Sequence, residues 1–278
     1  MRRLLTTLLA ALLLAGAAFA GETPEYTNLA DRESRAELQK LLVSYGIDAP
    51  ERDAFLDAVG MTANAFQTMR LAGKTWRALD LAEGDAYAFQ DQWNKQHPDF
   101  LGYNCRMTAF TLLKGHISVG QTIKQASSSL ALDLAAADQA PVPLFTQEEK
   151  AAFQTLFASI PASRATDSAQ HVDEIRAYFK QHDIRFSDGP KLVTVYLHDE
   201  DPDEPGRYEL FPGHTGVLIQ GDKGLYFIEK LAFQMPYRWI RFDNKNQLAE
   251  YLKTTYASYQ TDGLASMILM ENDQPLLP

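Results

Sequence analysis

One change of rhythm limits what this chain can fold into. Apolar residues recur at helical spacing as far as His182, and from Leu192 onward they mostly alternate with polar ones. In the first part, residues 31–45 carry Ala36, Leu38, Leu41, Leu42 and Tyr45 on one helix face, with Gly46 placed for a left-handed C-cap. Pro50 opens a second helix that Gly60 ends, and a third is expected over 63–72 and a fourth over 87–96. An alanine-, serine- and leucine-rich helix follows over 127–138. Thr146 and Glu149 match a capping box heading a helix that Pro161 stops, and residues 171–182 are amphipathic through Val172, Ile175 and Phe179. The second part reads as strands over 192–197, 215–220, 225–233, 237–242 and 267–270. Gly221-Asp222-Lys223-Gly224 joins two of them as a hairpin, and Asp243 is placed to cap a last helix through Leu248, Tyr251, Leu252 and Tyr256. A helical front half packed on a mostly antiparallel sheet is the α+β class.

The first twenty residues stand apart. Arg2 and Arg3 precede an apolar run over 4–17, then the small-x-small site Ala18-Phe19-Ala20 and polar Gly21-Glu22-Thr23. This is the pattern of a secretory signal peptide, too short and wrongly flanked for a membrane span; a retained anchor is the alternative. Cleavage after Ala20 leaves 21–278 as a single secreted α+β domain, periplasmic or extracellular, with a helical part over 21–100 and a core over 101–278. Two arginines and no acid go with the signal, which takes the net charge from -10 to -12. With 26 basic against 36 acidic residues there is no footprint for nucleic acid, and no later apolar run predicts a membrane span in the mature chain.

In that compartment a single cysteine is an anomaly. One cysteine excludes an intrachain disulfide and a four-cysteine zinc site. An unpaired thiol in an oxidising space is open to mixed disulfides, so it is either buried as a small hydrophobe or put to use. Asn104 is a good N-cap, Met107, Phe110 and Leu113 share one face, and Gly115 closes the helix. Cys105 therefore falls in a first helical turn, where the macrodipole favours thiolate and the cysteine amide is a natural oxyanion donor.

Two more residues complete a constellation. His214 stands in Gly213-His214-Thr215-Gly216-Val217-Leu218 at the head of a strand, and Glu229 in Phe227-Ile228-Glu229-Lys230 on the next. If the hairpin closes at Asp222-Lys223, Gly216 opposes Glu229 and His214 opposes Leu231. His214 and Glu229 then share a face in diagonal positions, with no side chain at Gly216 between them. The glutamate accepts from one imidazole nitrogen and leaves the other to a thiol. Cys105 is thus the candidate nucleophile, His214 the base and then acid, and Glu229 its orienter. Arg106 either offsets a thiolate, binds a substrate carboxylate or is solvated, and Glu229 with Lys230 has the alternative of a solvated ion pair.

Cysteine on a helix start, histidine on a strand and an orienter on the next strand resembles the papain-like superfamily, especially the small bacterial NlpC-type cell-wall peptidases. The resemblance implies a cysteine hydrolase, peptidase or amidase, with cell-wall peptide as a substrate and no cofactor. Two features depart from it. The 109 residues from Cys105 to His214 imply inserted helices. Asp99 stands six residues before Cys105 where a glutamine is expected, which leaves the side-chain half of the oxyanion hole to Tyr103 or Asn104.

A wider likeness runs through Tyr26-Thr27-Asn28-Leu29, Pro98-Asp99-Phe100-Leu101-Gly102-Tyr103-Asn104-Cys105-Arg106, Phe233-Gln234-Met235-Pro236-Tyr237 and Met270-Glu271-Asn272-Asp273, together with the His214 and Glu229 segments. These look like the secreted bacterial family of domain of unknown function 4300. That likeness implies boundaries and secretion and leaves the chemistry to the residues. The six histidines show no ligand spacing, so no metal is expected. The acidic run 199–204 lacks EF-hand spacing and favours a solvated hairpin tip over a calcium site. A noncatalytic, envelope-associated binding protein with Cys105 buried is the competing reading.

Overall fold

A computed structural model describes residues 23–81, 84–124, 128–201 and 204–278; the expected signal peptide lies outside them. Side-chain caps begin most helices. The front part contains β1 (Glu25–Thr27), α1 (Arg32–Ser44), α2 (Ala49–Ala65), β2 (Arg77–Ala78) and α3 (Ala86–Gln96). Asp31 caps α1 through the Ser34 amide, and Gly46 turns away at φ +73° as its position predicts. Gly60 does not end a helix: the apolar face of α2 continues from Phe55 and Val59 through Thr62 to Ala65, and packing outweighs one glycine. The helix expected over 63–72 is the end of α2 followed by turns and irregular chain.

Next come α4 (Cys105–Leu113), β3 (Ile117–Val119), α5 (Ala131–Gln139), α6 (Gln147–Leu156), β4 (Ile160–Ala162), α7 (Ser168–Gln181) and β5 (Ile184–Phe186). The Thr146–Glu149 capping box forms in both directions, at 3.2 and 2.8 Å. Pro161 sits inside β4 rather than at a helix end. Proline lacks a ladder donor, so an edge strand tolerates it. Gly115 falls in a 3₁₀ turn that prolongs α4 over Lys114–His116.

The sheet is built by β6 (Lys191–Glu200), β7 (Tyr208–Gly221), β8 (Gly224–Lys230), β9 (Tyr237–Phe242), β10 (Ile268–Glu271) and β11 (Gln274–Pro275), with α8 (Lys245–Tyr256) between β9 and β10. Asn244, not Asp243, caps α8; its side chain accepts from the Gln247 amide. The nine strands run β11-β10-β6-β7-β8-β9-β1-β2, with β4 added to β7, and every pairing among the described residues is antiparallel. The class is α+β. The helical front part also supplies β1 and β2 to the sheet, which its spacing did not predict.

Two apolar layers hold the sheet. One joins Leu38 of α1, Phe55 of α2, Trp93 of α3, Phe110 of α4, Phe153 of α6 and Ile175 of α7 to Val217, Ile228 and Trp239. The other joins Leu248, Tyr251, Leu252 and Tyr256 of α8 to Leu218, Phe227 and Ile240. Each such side chain contributes roughly 1.5–3 kcal/mol on full burial. Among the described residues no helix is long and apolar enough to cross a membrane.

Candidate active site

Asn104 starts α4 from an extended backbone, its Oδ1 accepting from the Met107 amide at 3.0 Å. Cys105 is the first helical residue, so its own amide has no acceptor within the helix. The loop before it packs tightly. Gly102 lies at φ +100°, and a Cβ there would meet the Phe233 carbonyl oxygen at 2.6 Å. The thiol is 5% exposed and belongs to neither apolar layer.

His214 sits at a break in the sheet. Along one edge of β7, β4 pairs with Tyr208 to Leu210 and β8 pairs with Gly216 to Gly221. Among the described residues no strand pairs with 211–215 on that edge. Along the other edge β6 is continuous except for a bulge: Val195 opposes His214, Tyr196 opposes Pro212, and Gly213 is the extra residue. A bulge of this kind redirects the side chain next to it. A Cβ on Gly213 would meet Leu197 Cδ1 at 2.5 Å, so a larger residue in the bulge requires the Leu197 side chain to shift.

The hairpin register matches the expected pairing. Gly216 opposes Glu229, and the ladder ends there because β8 stops at Lys230, leaving Leu231 beyond it. His214 Nε2 lies 2.8 Å from Glu229 Oε2. Gly216 does not serve as an empty passage: the Phe227 ring occupies the space its side chain would take. Glu229 is fully buried, accepts from the Tyr251 hydroxyl through Oε1 and stands across from Arg238 on β9. Tyr256 stacks on the His214 ring at 4.8 Å and 22°. Helix α8 thus clamps both imidazole and carboxylate.

The charges of Cys105 and His214 support each other. Burial alone pushes the thiol up, but hydrogen bonding and charge from His214, then the charge of Arg106, carry it below its ordinary value against Asp133. Burial pulls His214 down, yet Cys105 and Glu229 together push it up to about 9. Both directions favour thiolate beside imidazolium. His214 Nδ1 has no hydrogen bond of normal distance and angle among the described residues, while the Cys105 side chain acts on the ring that Glu229 holds through Nε2.

A family model described as a domain of unknown function, DUF4300, matches residues 25–276. The chain belongs to this family. The DUF4300 match takes in every strand from β1 to β11, and with them Cys105, His214 and Glu229. Comparison with curated proteins and with solved structures gives no match.

Within the DUF4300 fold, the flanking candidates are engaged elsewhere. Arg106 forks onto Asp133 of α5, Nε to Oδ1 and Nη2 to Oδ2 both at 2.8 Å, and gives Nη1 to the Pro212 carbonyl at 2.9 Å. Asn104 Nδ2 donates to the same Asp133 at 2.7 Å, so both ends of its amide are used. Tyr103 packs edge-on to Phe100 at 5.1 Å; burial and Asp57 of α2 push its phenol up to about 12. The Asn104 amide and the Arg106 guanidinium are thus held by Asp133 and the Pro212 carbonyl rather than by solvent.

Lys230 is not a partner of Glu229. Its ammonium donates to the carbonyls of Ala232, Phe233 and Met235, and burial pushes it down to about 7, with Cys105 acting the other way. Both residues are fully buried, which removes the solvated ion pair. In the acidic run, Asp201 and Glu204 face Arg207 at 3.7 and 2.9 Å, and residues 202–203 lie outside the described residues. Sequence reasoning missed Asp133, Tyr251 and Tyr256. A lone acid in the apolar run Ala131-Leu132-Asp133-Leu134 was a usable signal for the first. The two tyrosines fall among the residues of the last helix, where nothing in their spacing singles them out.

Proposed function

We propose that this DUF4300 protein is a secreted cysteine hydrolase, a peptidase or amidase working by papain-like chemistry. The observation that carries the reading is the division of the His214 ring: Nε2 is fixed by Glu229 at 2.8 Å, Nδ1 is left without a bond, and the ring interacts with a Cys105 thiol that favours its thiolate. Cys105 sulfur attacks an amide carbonyl, forming a C–S bond and an oxyanion that the Cys105 amide stabilises. Imidazolium His214 gives its proton to the departing nitrogen, the C–N bond breaks and a thioester remains. His214, now neutral, takes a proton from water. The hydroxide breaks the C–S bond and releases a carboxylic acid. Glu229 keeps the ring oriented and its charge balanced in both halves.

The signal-like residues 1–20 support export to the periplasm or beyond, where cell-wall peptide is the amide substrate we favour. One observation favours a second reading, an envelope-associated binding protein: Cys105 is nearly closed off from solvent. Alkylation by iodoacetamide, followed by mass spectrometry across pH, separates the two. The hydrolase reading expects modification of the folded protein at mildly acidic pH, slowed at least about tenfold in His214→Ala. A folded protein whose Cys105 does not react supports the binding protein and overturns the hydrolase.

A further inference from the structure

The Arg106 contacts join three elements at one point. Asp133 is 1% exposed and receives three hydrogen bonds, two from Arg106 and one from Asn104, so α5 grips both residues that flank Cys105. The remaining arm of Arg106 reaches the Pro212 carbonyl. That carbonyl lies where β4 has ended and β8 has not begun, so among the described residues no strand pairs with it on that edge. It also lies one residue before the Gly213 bulge and two before His214. A planar guanidinium with five fixed donors can hold a carboxylate and a carbonyl at once; an ammonium cannot reproduce that fork.

We propose that Arg106 and Asp133 are positioning residues that set the distance between Cys105 and His214 by tying the start of α4 to the bulge in β7. This rests on the reading of Cys105 and His214 as a catalytic pair. Neither residue touches the reacting atoms in this arrangement. Asp133 fixes the guanidinium, the guanidinium fixes the Pro212 carbonyl, and the bulge carries the imidazole to the sulfur. The strand gap leaves residues 211–215 without ladder support on one edge, and Arg106 substitutes for it. Charged groups around the sulfur are His214, Arg106, Asp133 and Lys230.

Charge and position make opposite forecasts for Asp133→Asn. If Asp133 acted only through its charge, which disfavours thiolate, its removal would move the acid limb of Cys105 alkylation to lower pH. Positioning predicts the reverse: with Arg106 loosened, the limb moves up toward that of an ordinary thiol, by about one pH unit or more. Arg106→Lys keeps the charge, so a charge role predicts no change and positioning predicts the same upward move. Iodoacetamide rates across pH are read on wild-type, Asp133→Asn and Arg106→Lys proteins whose thermal melts show them folded. Upward displacement in the folded variants supports the proposal. A limb that stays or falls overturns it, and so does an unchanged limb in whichever single variant folds. A wild-type limb that does not depend on His214 would instead defeat the catalytic pair itself.

Discussion

Among the described residues two buried histidines bond to carboxylates, and one of the two is left incomplete. His171 on α7 is fully buried, with Nδ1 2.7 Å from Glu174 Oε2 and Nε2 2.8 Å from the Ala165 carbonyl. Each ring nitrogen therefore already has a polar partner, and the ring has no nitrogen left to offer. His214 has nearly the same burial and a 2.8 Å bond to Glu229, but its second nitrogen has no bond and its ring interacts with a thiol. A buried histidine–carboxylate pair is therefore no mark of chemistry. His198 sharpens the point: its Nδ1 accepts from the Ala265 amide and its Nε2 has no hydrogen bond of normal geometry among the described residues, yet the Cys105 thiol is not among the groups that act on it. Burial, with the neighbouring His171, keeps that ring below its ordinary pKa. An open nitrogen matters only beside a group it can activate.

The strongest way to break this comparison is to neutralise each carboxylate in turn. Glu229→Gln should slow Cys105 alkylation at mildly acidic pH by about 10²-fold or more, because the amide presents a donor or a weaker acceptor to Nε2 and the imidazolium loses its counter-charge. Glu174→Gln should leave that rate unchanged. It should instead lower the unfolding free energy by about 1–3 kcal/mol, since the His171 ring and the Ser163 amide both lose a charged acceptor. Equal rate losses in the two variants would erase the distinction between the sites.

The pH dependence sharpens the same contrast. His214 is raised to about 9, so its stabilising share is fully present below its unfolded value near ~6.5 and is lost as pH rises through about 9. Cys105 is lowered, so its share is present above the ordinary thiol value and is lost as pH falls through its folded value. Between those limits both members are charged. Alkylation should hold a plateau that extends to the acid side of a free thiol. Amide hydrolysis, which needs the imidazolium proton, should fall above about 9. In His214→Ala the plateau should collapse to one ordinary thiol limb, whereas His171→Ala should keep it.

Local chemistry was legible in the residues; the long-range arrangement was not. Asn104, the Thr146–Glu149 box and the Gly46 cap act within a few positions of themselves, and each formed as its residue type dictates. The β7–β8 register was legible for the same reason, because a two-residue loop at Asp222-Lys223 leaves the strands one alignment through Gly216 and Glu229. That alignment brought His214 and Glu229 into reach from numbering alone. The Gly213 bulge and the gap in the sheet were hidden. The gap depends on where β4 stops, and β4 is three residues long with a proline at its centre. Strands that short carry no alternation, so β1, β3, β4 and β5 gave no period to detect. Asp133 was hidden differently, since its partners Asn104 and Arg106 are nearly thirty residues away.

Tyr256 gives the smallest effect and the finest resolution of the comparison. Its ring covers His214 at 4.8 Å, while its buried hydroxyl has no hydrogen-bond partner. Deleting an unsatisfied hydroxyl removes a desolvation cost and no bond, so Tyr256→Phe should leave stability within about ±0.5 kcal/mol or raise it slightly. The stack survives in phenylalanine, so the alkylation profile should stay within about twofold of wild type. Tyr251→Phe is the matched control, because its hydroxyl bonds Glu229 and its loss leaves a buried carboxylate oxygen short of a donor. A slowing in Tyr256→Phe as large as in Tyr251→Phe would mean that the hydroxyl itself serves the imidazole or the sulfur. Helix α8 would then contribute to the reaction more than a hydrophobic lid.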